Sequence, residues 1–202
     1  MISIKGVDTG NRLVIFDLDD TLVKTDAKIK IVDRKTGKII KEMTPQEFNS
    51  FESKSKRHIL NFEDFLSPEI LRQGKFIREI FSKLKGYYKR GIPVSIVTAR
   101  SSSDLIRNFF LDNGIDIHPQ LVIAINDPQY EYTGSIADKK KQAIKDLIDL
   151  GFKHLTFFDD SEENLRLAKE AEGYKDASIK IIKVDSSPVL RSSRDLGMVI
   201  LR

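Results

Sequence analysis

Leu13-Val14-Ile15-Phe16-Asp17-Leu18-Asp19-Asp20-Thr21 is the stretch from which the rest of the chain can be read. Its apolar half is short, bounded and rich in β-branched residues, the pattern of a strand buried on both faces of a parallel sheet. The acidic cluster then sits just past the carboxyl end of that strand, where open α/β sheets bind their ligands. Two carboxylates flanking one leucine, Asp17 and Asp19, repel each other unless a cation lies between them. They could share a Mg²⁺, which prefers carboxylate oxygens together with water and phosphate. One of them could also serve as a nucleophile, as in aspartyl-phosphate enzymes. Taken alone, the same three residues would serve equally well as a loop that caps the next helix.

Three further segments, in order along the chain, bear on that choice. Val94-Ser95-Ile96-Val97-Thr98-Ala99-Arg100-Ser101 is a second apolar strand, ending in a hydroxyl and small residues, and 104–113 has helical spacing behind it. Thr98 and the backbone N–H groups that follow could hold a phosphoryl oxygen; one of Ser101, Ser102 and Ser103 should cap the helix. Asp138-Lys139-Lys140-Lys141 opens a helix whose apolar positions are Ala143, Ile144, Leu147 and Ile148. A lysine there opposes the helix dipole, and for any one of the three a solvated basic face is the plainer reading. Spacing favours Lys140, three and four residues before the first apolar pair, as the lysine on a core-facing edge. Leu155-Thr156-Phe157-Phe158-Asp159-Asp160 is a third strand, again ending in paired acids, with Ser161 and Glu162-Glu163 suited to start a helix. Asp160 would complete a metal site begun by Asp17 and Asp19.

Together, D-x-D-x-T, strand-Thr, helix-Lys and strand-D-D resemble the four signature elements of the haloacid dehalogenase superfamily of phosphotransferases, over most of the chain outside one insertion. The resemblance implies that Asp17 is the nucleophile and Asp19 the general acid and then base. It implies that Thr98 binds phosphate with the Ala99 N–H, with Thr21 and Arg100 also on the substrate side, and that Lys140 stabilises nucleophile and phosphate. Asp17, Asp19 through its backbone carbonyl, and Asp160 would hold Mg²⁺, with Asp159 and Asn164 in support. Asp20 stands where the family often has glycine. Val97-Thr98-Ala99-Arg100 with the D-D element is similar to the polynucleotide 3′-phosphatase and deoxynucleotidase branches. The hairpin described below, with Thr44-Pro45-Gln46-Glu47-Phe48 and 61–65, is similar to uncharacterised members encoded by tailed bacteriophages. The implied activity is a magnesium-dependent phosphatase, a hydrolase of phosphomonoesters, with a nucleotide or a nucleic-acid 3′-phosphate among the candidate substrates. A catalytically weak binding or structural protein, or a phosphotransferase with a specific acceptor, is the alternative.

Composition agrees with an enzyme. The chain has 202 residues, no cysteine and a formal net charge of +4. That length allows one domain, 1–202, with a real core. The lack of cysteine removes disulfides, thiol catalysis and thiolate zinc sites. No run reaches the roughly 20 apolar residues of a membrane span, and 1–11 lacks a signal-peptide pattern, so the expected location is cytoplasmic. No P-loop motif, and hence no fused kinase, is present. The expected partner is a phosphorylated small molecule or a nucleic-acid end, with no membrane and no protein partner.

The insertion spans 22–75. Within it, 28–32 and 38–41 read as a β-hairpin, where the resembling superfamily carries a flap. Thr44, Pro45 and Glu47 make a helix start. Phe51, Phe62 and Phe65 read as anchors onto the main core rather than groups that stack on bases. From Lys24 to His58 there are ten Lys/Arg against five Asp/Glu. A basic cap suits an anionic substrate, although lysines on a hairpin edge also serve to block strand pairing. The rest reads as scaffold: a helix over 76–90, strands over 121–125 and 179–184, a loop over 126–137 that faces the site edge, and an edge strand at 198–201. The expected fold class is α/β, a three-layer sandwich with a haloacid-dehalogenase-like Rossmannoid parallel sheet and a small β-hairpin/helix cap insertion. Leu13–Phe16 should be central, with Ser95–Thr98 and Leu155–Phe158 on either side.

Overall fold

A computed structural model gives the fold, and residues 11–49, 51, 55 and 57–185 are described; the strand expected at 198–201 lies outside them. The chain runs β1 (Arg12–Phe16), β2 (Val23–Lys24), β3 (Ile29–Asp33), β4 (Ile39–Met43), α1 (Pro45–Asn49), β5 (His58–Asn61), α2 (Pro68–Gln73), β6 (Lys75–Phe76), α3 (Arg78–Lys89), β7 (Val94–Thr98), α4 (Ser103–Asp112), β8 (Val122–Ala124), α5 (Ile136–Asp149), β9 (His154–Asp159), α6 (Glu162–Lys169) and β10 (Ser178–Lys183). Five strands form one parallel sheet in the order β10-β9-β1-β7-β8. β1 is central, as its apolar run requires: Leu13 to Phe16 are all buried, with β7 on one side and β9 on the other.

Helices α3 to α6 flank this sheet in a Rossmann-like α/β arrangement. With the right-handed crossovers such units adopt, α3 and α4 cover one face. α5 and α6, which pack on each other, cover the opposite face. Phe16 stacks on Phe158 at 4.7 Å between ring centroids and meets Tyr87 of α3 at 6.5 Å. The chain travels outward from β1 to β7 and β8, then crosses back to β9 and β10. The carboxyl ends beside β1 therefore lie where the strand order reverses, the place such sheets leave a crevice.

Between β1 and α3 the chain leaves this sheet. β2 and β6 pair antiparallel, Val23 opposite Phe76 and Lys24 opposite Lys75, and so bring the two ends of the excursion together. At this neck Gly74 leaves no room for a side chain, since a Cβ would stand 2.5 Å from Val23 Cγ1. The expected hairpin is present as β3 and β4, but it is part of a three-stranded sheet, β4-β3-β5. β5 gave little sequence signal because only Ile59 and Leu60 of its four residues are apolar. This small sheet has its own core. Ile29, Ile31 and Met43 are buried, and Phe48, Phe51, Leu60 and Phe65 pack against them. Phe51 and Phe65 thus anchor to the small sheet and not to the main core, and Phe62 remains exposed beside them, which corrects the sequence expectation. Thr44 and Glu47 do form a reciprocal cap: Thr44 N donates to Glu47 Oε2 at 2.7 Å, and Glu47 N donates to Thr44 Oγ1 at 3.2 Å.

Smaller differences follow from local geometry. Phe76 is taken by β6, so the helix expected over 76–90 spans Arg78–Lys89. Leu121 closes a single helical turn before β8. α5 starts at Ile136, capped by Ser135 in a box with Asp138. Lys140 therefore stands in the second turn, Asp138 satisfies the helix N-terminus, and the conflict with the dipole disappears. Among the described residues no helix is long and apolar enough to cross a membrane.

Candidate active site

Three chain segments meet at the carboxyl edge of β1. The first turn beyond β1 is tied to β9, with Asp17 N donating to the Phe158 carbonyl at 2.9 Å. Asp20 follows in the left-handed region at φ 58, a conformation that aspartate tolerates better than most residues. It turns the chain back so that Leu22 N and Val23 N both donate to the Leu18 carbonyl.

Lys140 is buried at 2% exposure, and its ammonium donates to Asp17 Oδ1 and to Asp159 Oδ2, each at 2.7 Å. Its neighbours settle which lysine enters the site: Lys139 donates to Asn126 Oδ1, and Lys141 pairs with Glu170. Asp159 is fixed further by Asn164 Nδ2, which donates to both of its oxygens at 3.0 and 3.2 Å, and by Ser161 N at 2.8 Å. Ser161 caps α6 as expected, accepting from Asn164 N.

One carboxylate oxygen from each of Asp17, Asp159 and Asp160 lies within 4.8 Å of the others. These three acids are set against one ammonium, and the mismatch appears at Asp17 and Asp160. Burial raises the Asp17 carboxyl well above the usual range; Lys140 pulls it back, while Asp159 and Asp160 push it further up. Asp160 is pushed up to about 6, by burial first and then by Asp159. Burial alone would depress Lys140, but Asp159 and Asp17 outweigh it and the ammonium is held firmly. A buried group of carboxylates with too little positive charge, made of oxygen donors alone, suits a hard divalent cation. These three residues could hold a metal ion.

Asp19 takes a different position from the one its spacing implied. Its carboxylate gives no oxygen to the three-acid cluster and is gripped by Arg100, whose Nε donates to Oδ2 at 2.9 Å and Nη2 to Oδ1 at 2.7 Å. The remaining terminal nitrogen, Nη1, donates to the backbone carbonyl of Phe65 in the small sheet's return segment at 2.8 Å. The guanidinium also lies over the Phe65 ring, 5.4 Å from its centroid. Arg100, 2% exposed, is thus committed to Asp19 and Phe65 rather than free to grip a substrate phosphate. Thr21 is likewise engaged: its hydroxyl accepts from Asp160 N at 3.1 Å and donates to Asp160 Oδ1 at 3.4 Å, which orients that acid. Thr98 is fully buried at the end of β7, and Ala99 follows it at the head of the turn into α4. Asp159, read from sequence as support, joins the cluster itself. The Phe65 carbonyl and Ser161 N were missed, because a backbone group carries no mark in the sequence.

No protein-family model matches the chain, and no curated protein matches it.

Proposed function

We propose that this protein is a magnesium-dependent phosphohydrolase of the haloacid dehalogenase type, acting on a phosphomonoester through an aspartyl-phosphate at Asp17. The observation that carries this reading is the buried cluster of Asp17, Asp159 and Asp160 around Lys140, at the carboxyl edge of the central strand. In this reading residues 22–75 form a cap inserted into a single domain over 1–202.

Asp17, Asp160 and Asp159 would hold Mg²⁺, with the Asp19 backbone carbonyl beside them. The bound cation supplies charge neutralisation for the phosphoryl group and for Asp17. Phosphoryl transfer asks mainly for positioning and charge stabilisation. An Asp17 oxygen attacks phosphorus, the bond to the leaving oxygen breaks, and Asp19 delivers the proton to that oxygen. Water then attacks the aspartyl-phosphate, Asp19 takes its proton, and phosphate leaves with Asp17 restored. Lys140 keeps Asp17 aligned through both halves. In this reading Thr98 and the Ala99 N–H would receive phosphoryl oxygens. Asp159 and Asn164 form the buried support for Lys140, and Thr21 orients Asp160. Arg100 acts on Asp19 rather than on the phosphate.

The test is phosphate release in the presence of magnesium from acetyl phosphate, p-nitrophenyl phosphate, 5′- and 3′-mononucleotides and a 3′-phosphorylated oligonucleotide. Release that needs magnesium and disappears in Asp17→Asn is expected. A folded, metal-bound protein that releases phosphate from none of them would overturn the reading in favour of transfer to a specific acceptor or a binding role.

A further inference from the structure

A cleft of about 470 Å³ opens between the small sheet and the edge of the main sheet, and Asp19 and Arg100 line part of it. Its volume falls within the range of small-molecule sites, roughly 300–1,000 Å³. The walls are mostly apolar: Phe48, Phe62 and Phe65 come from the small sheet and its return segment, with Ile29 beside them and Ile136 of α5 opposite. Phe48 meets Phe62 edge to face at 5.7 Å, and Phe62 is tilted to Phe65 at 6.4 Å. Phe62 is 44% exposed and Ile136 41% exposed, so apolar surface is left open beside a cluster of charges. Besides Asp19 and Arg100, the polar residues of the lining are Ser101 and Asn126.

We propose that this cleft receives the leaving group of the substrate and that the group is a planar aromatic ring, in the class of a nucleobase joined through its sugar to the reacting phosphate. The inference rests on the phosphohydrolase reading for the position of that phosphate. Asp19 belongs both to the cleft wall and to the proton-transfer step, so a leaving oxygen at Asp19 directs the rest of the molecule between the phenylalanines. Aromatic walls that present edges and faces favour a flat π-system over a saturated chain or a bare sugar. The basic composition of residues 24–58 is not what recognises this group. Lys30 is occupied by Asp64 and Arg57 by Asp33, and among the described residues no lysine lines the cleft.

The experiment is an NMR titration of the whole chain with adenosine, ribose and hexanol, none of which carries a phosphate to hydrolyse. Adenosine should bind at least about tenfold tighter than ribose or hexanol, within what stacking one base on an aromatic side chain supplies. Phe62→Leu should erase most of that preference, and Phe62→Tyr should keep it. Equal binding of adenosine and ribose, no binding of either, preference for hexanol, or indifference of adenosine to Phe62→Leu would each overturn the proposal. Mononucleotides set beside an oligonucleotide with a terminal phosphate then separate a free nucleotide from a chain end. Magnesium-dependent release from acetyl phosphate, which has no ring, tests the phosphohydrolase reading on its own. Release without preference for adenosine keeps that reading and loses this inference, whereas preference without release leaves a ring-binding cleft and overturns its role as the leaving-group site.

Discussion

Lys140 sits between two buried carboxylates, and its removal would change the charge of the whole site. Breaking one side of a buried ion pair leaves charge uncompensated, at a cost of about 3–5 kcal/mol. Lys140→Met should therefore lower stability by about that much near neutral pH in denaturant unfolding, and by less in acid, where Asp17 can take up a proton. A variant as stable as the parent at neutral pH would contradict the charge assignment. Asp160 gives a second test. Its carboxyl is raised to about 6, against about 3.9 in an unfolded chain. In the metal-free protein its proton favours folding at low pH, and that contribution is lost as pH rises through about 6. A bound cation must displace the same proton. Magnesium affinity measured by calorimetry should fall at least about tenfold per pH unit as pH drops below about 6. A flat profile across that range would remove Asp160 from the metal set.

At the scale of elements, the strand ends were legible and the contacts between distant elements were not. β1, β7 and β9 announce themselves as short β-branched runs, and each carries its chemistry in the next few residues, so Asp17, Thr98, Asp159 and Asp160 could be named. Lys140 could be singled out because helical periodicity places it against the core. The partners of Thr21 and Arg100 lie 139 and 81 residues away in sequence, and no local pattern records them. β5 was missed for the same reason, since it is held as a strand by pairing with β3 and not by its own composition. Arg100 joins the end of β7 to the turn Glu63–Leu66 through Asp19 and the Phe65 carbonyl. Lysine keeps the charge and loses the planar fork. Arg100→Lys should lower turnover about 10²-fold, more for alkyl phosphates than for acetyl phosphate, whose leaving group needs no proton. Equal losses on both substrates would separate Arg100 from the proton-transfer step. At the neck, Gly74→Ala forces a Cβ against Val23 Cγ1 and the Leu71 carbonyl. It should cost about 1–3 kcal/mol in thermal unfolding, and an unchanged midpoint would show that the neck yields freely.

Across the whole molecule, one sheet edge collects three acids that could hold a cation, a buried ammonium and an aspartate clamped by an arginine, and a second small sheet stands over them with a phenylalanine-lined cleft. Only the first half of that arrangement could be anticipated. The hairpin was visible from its turn, but its closure into a separate three-stranded unit with its own core depends on pairings between β3 and β5 residues such as Ile31 and Leu60. The phenylalanines read as core anchors because sequence spacing does not say which of two cores they face. The central claim is covalent chemistry at Asp17. The direct measurement is to mix the protein with acetyl phosphate and magnesium, quench in acid, and map phosphorylation by peptide mass spectrometry. A phosphoryl group on the peptide carrying Asp17, absent in Asp17→Asn and longer-lived in Asp19→Asn, is the predicted result. Phosphate release with Asp17 unlabelled, or label at another residue, would contradict it.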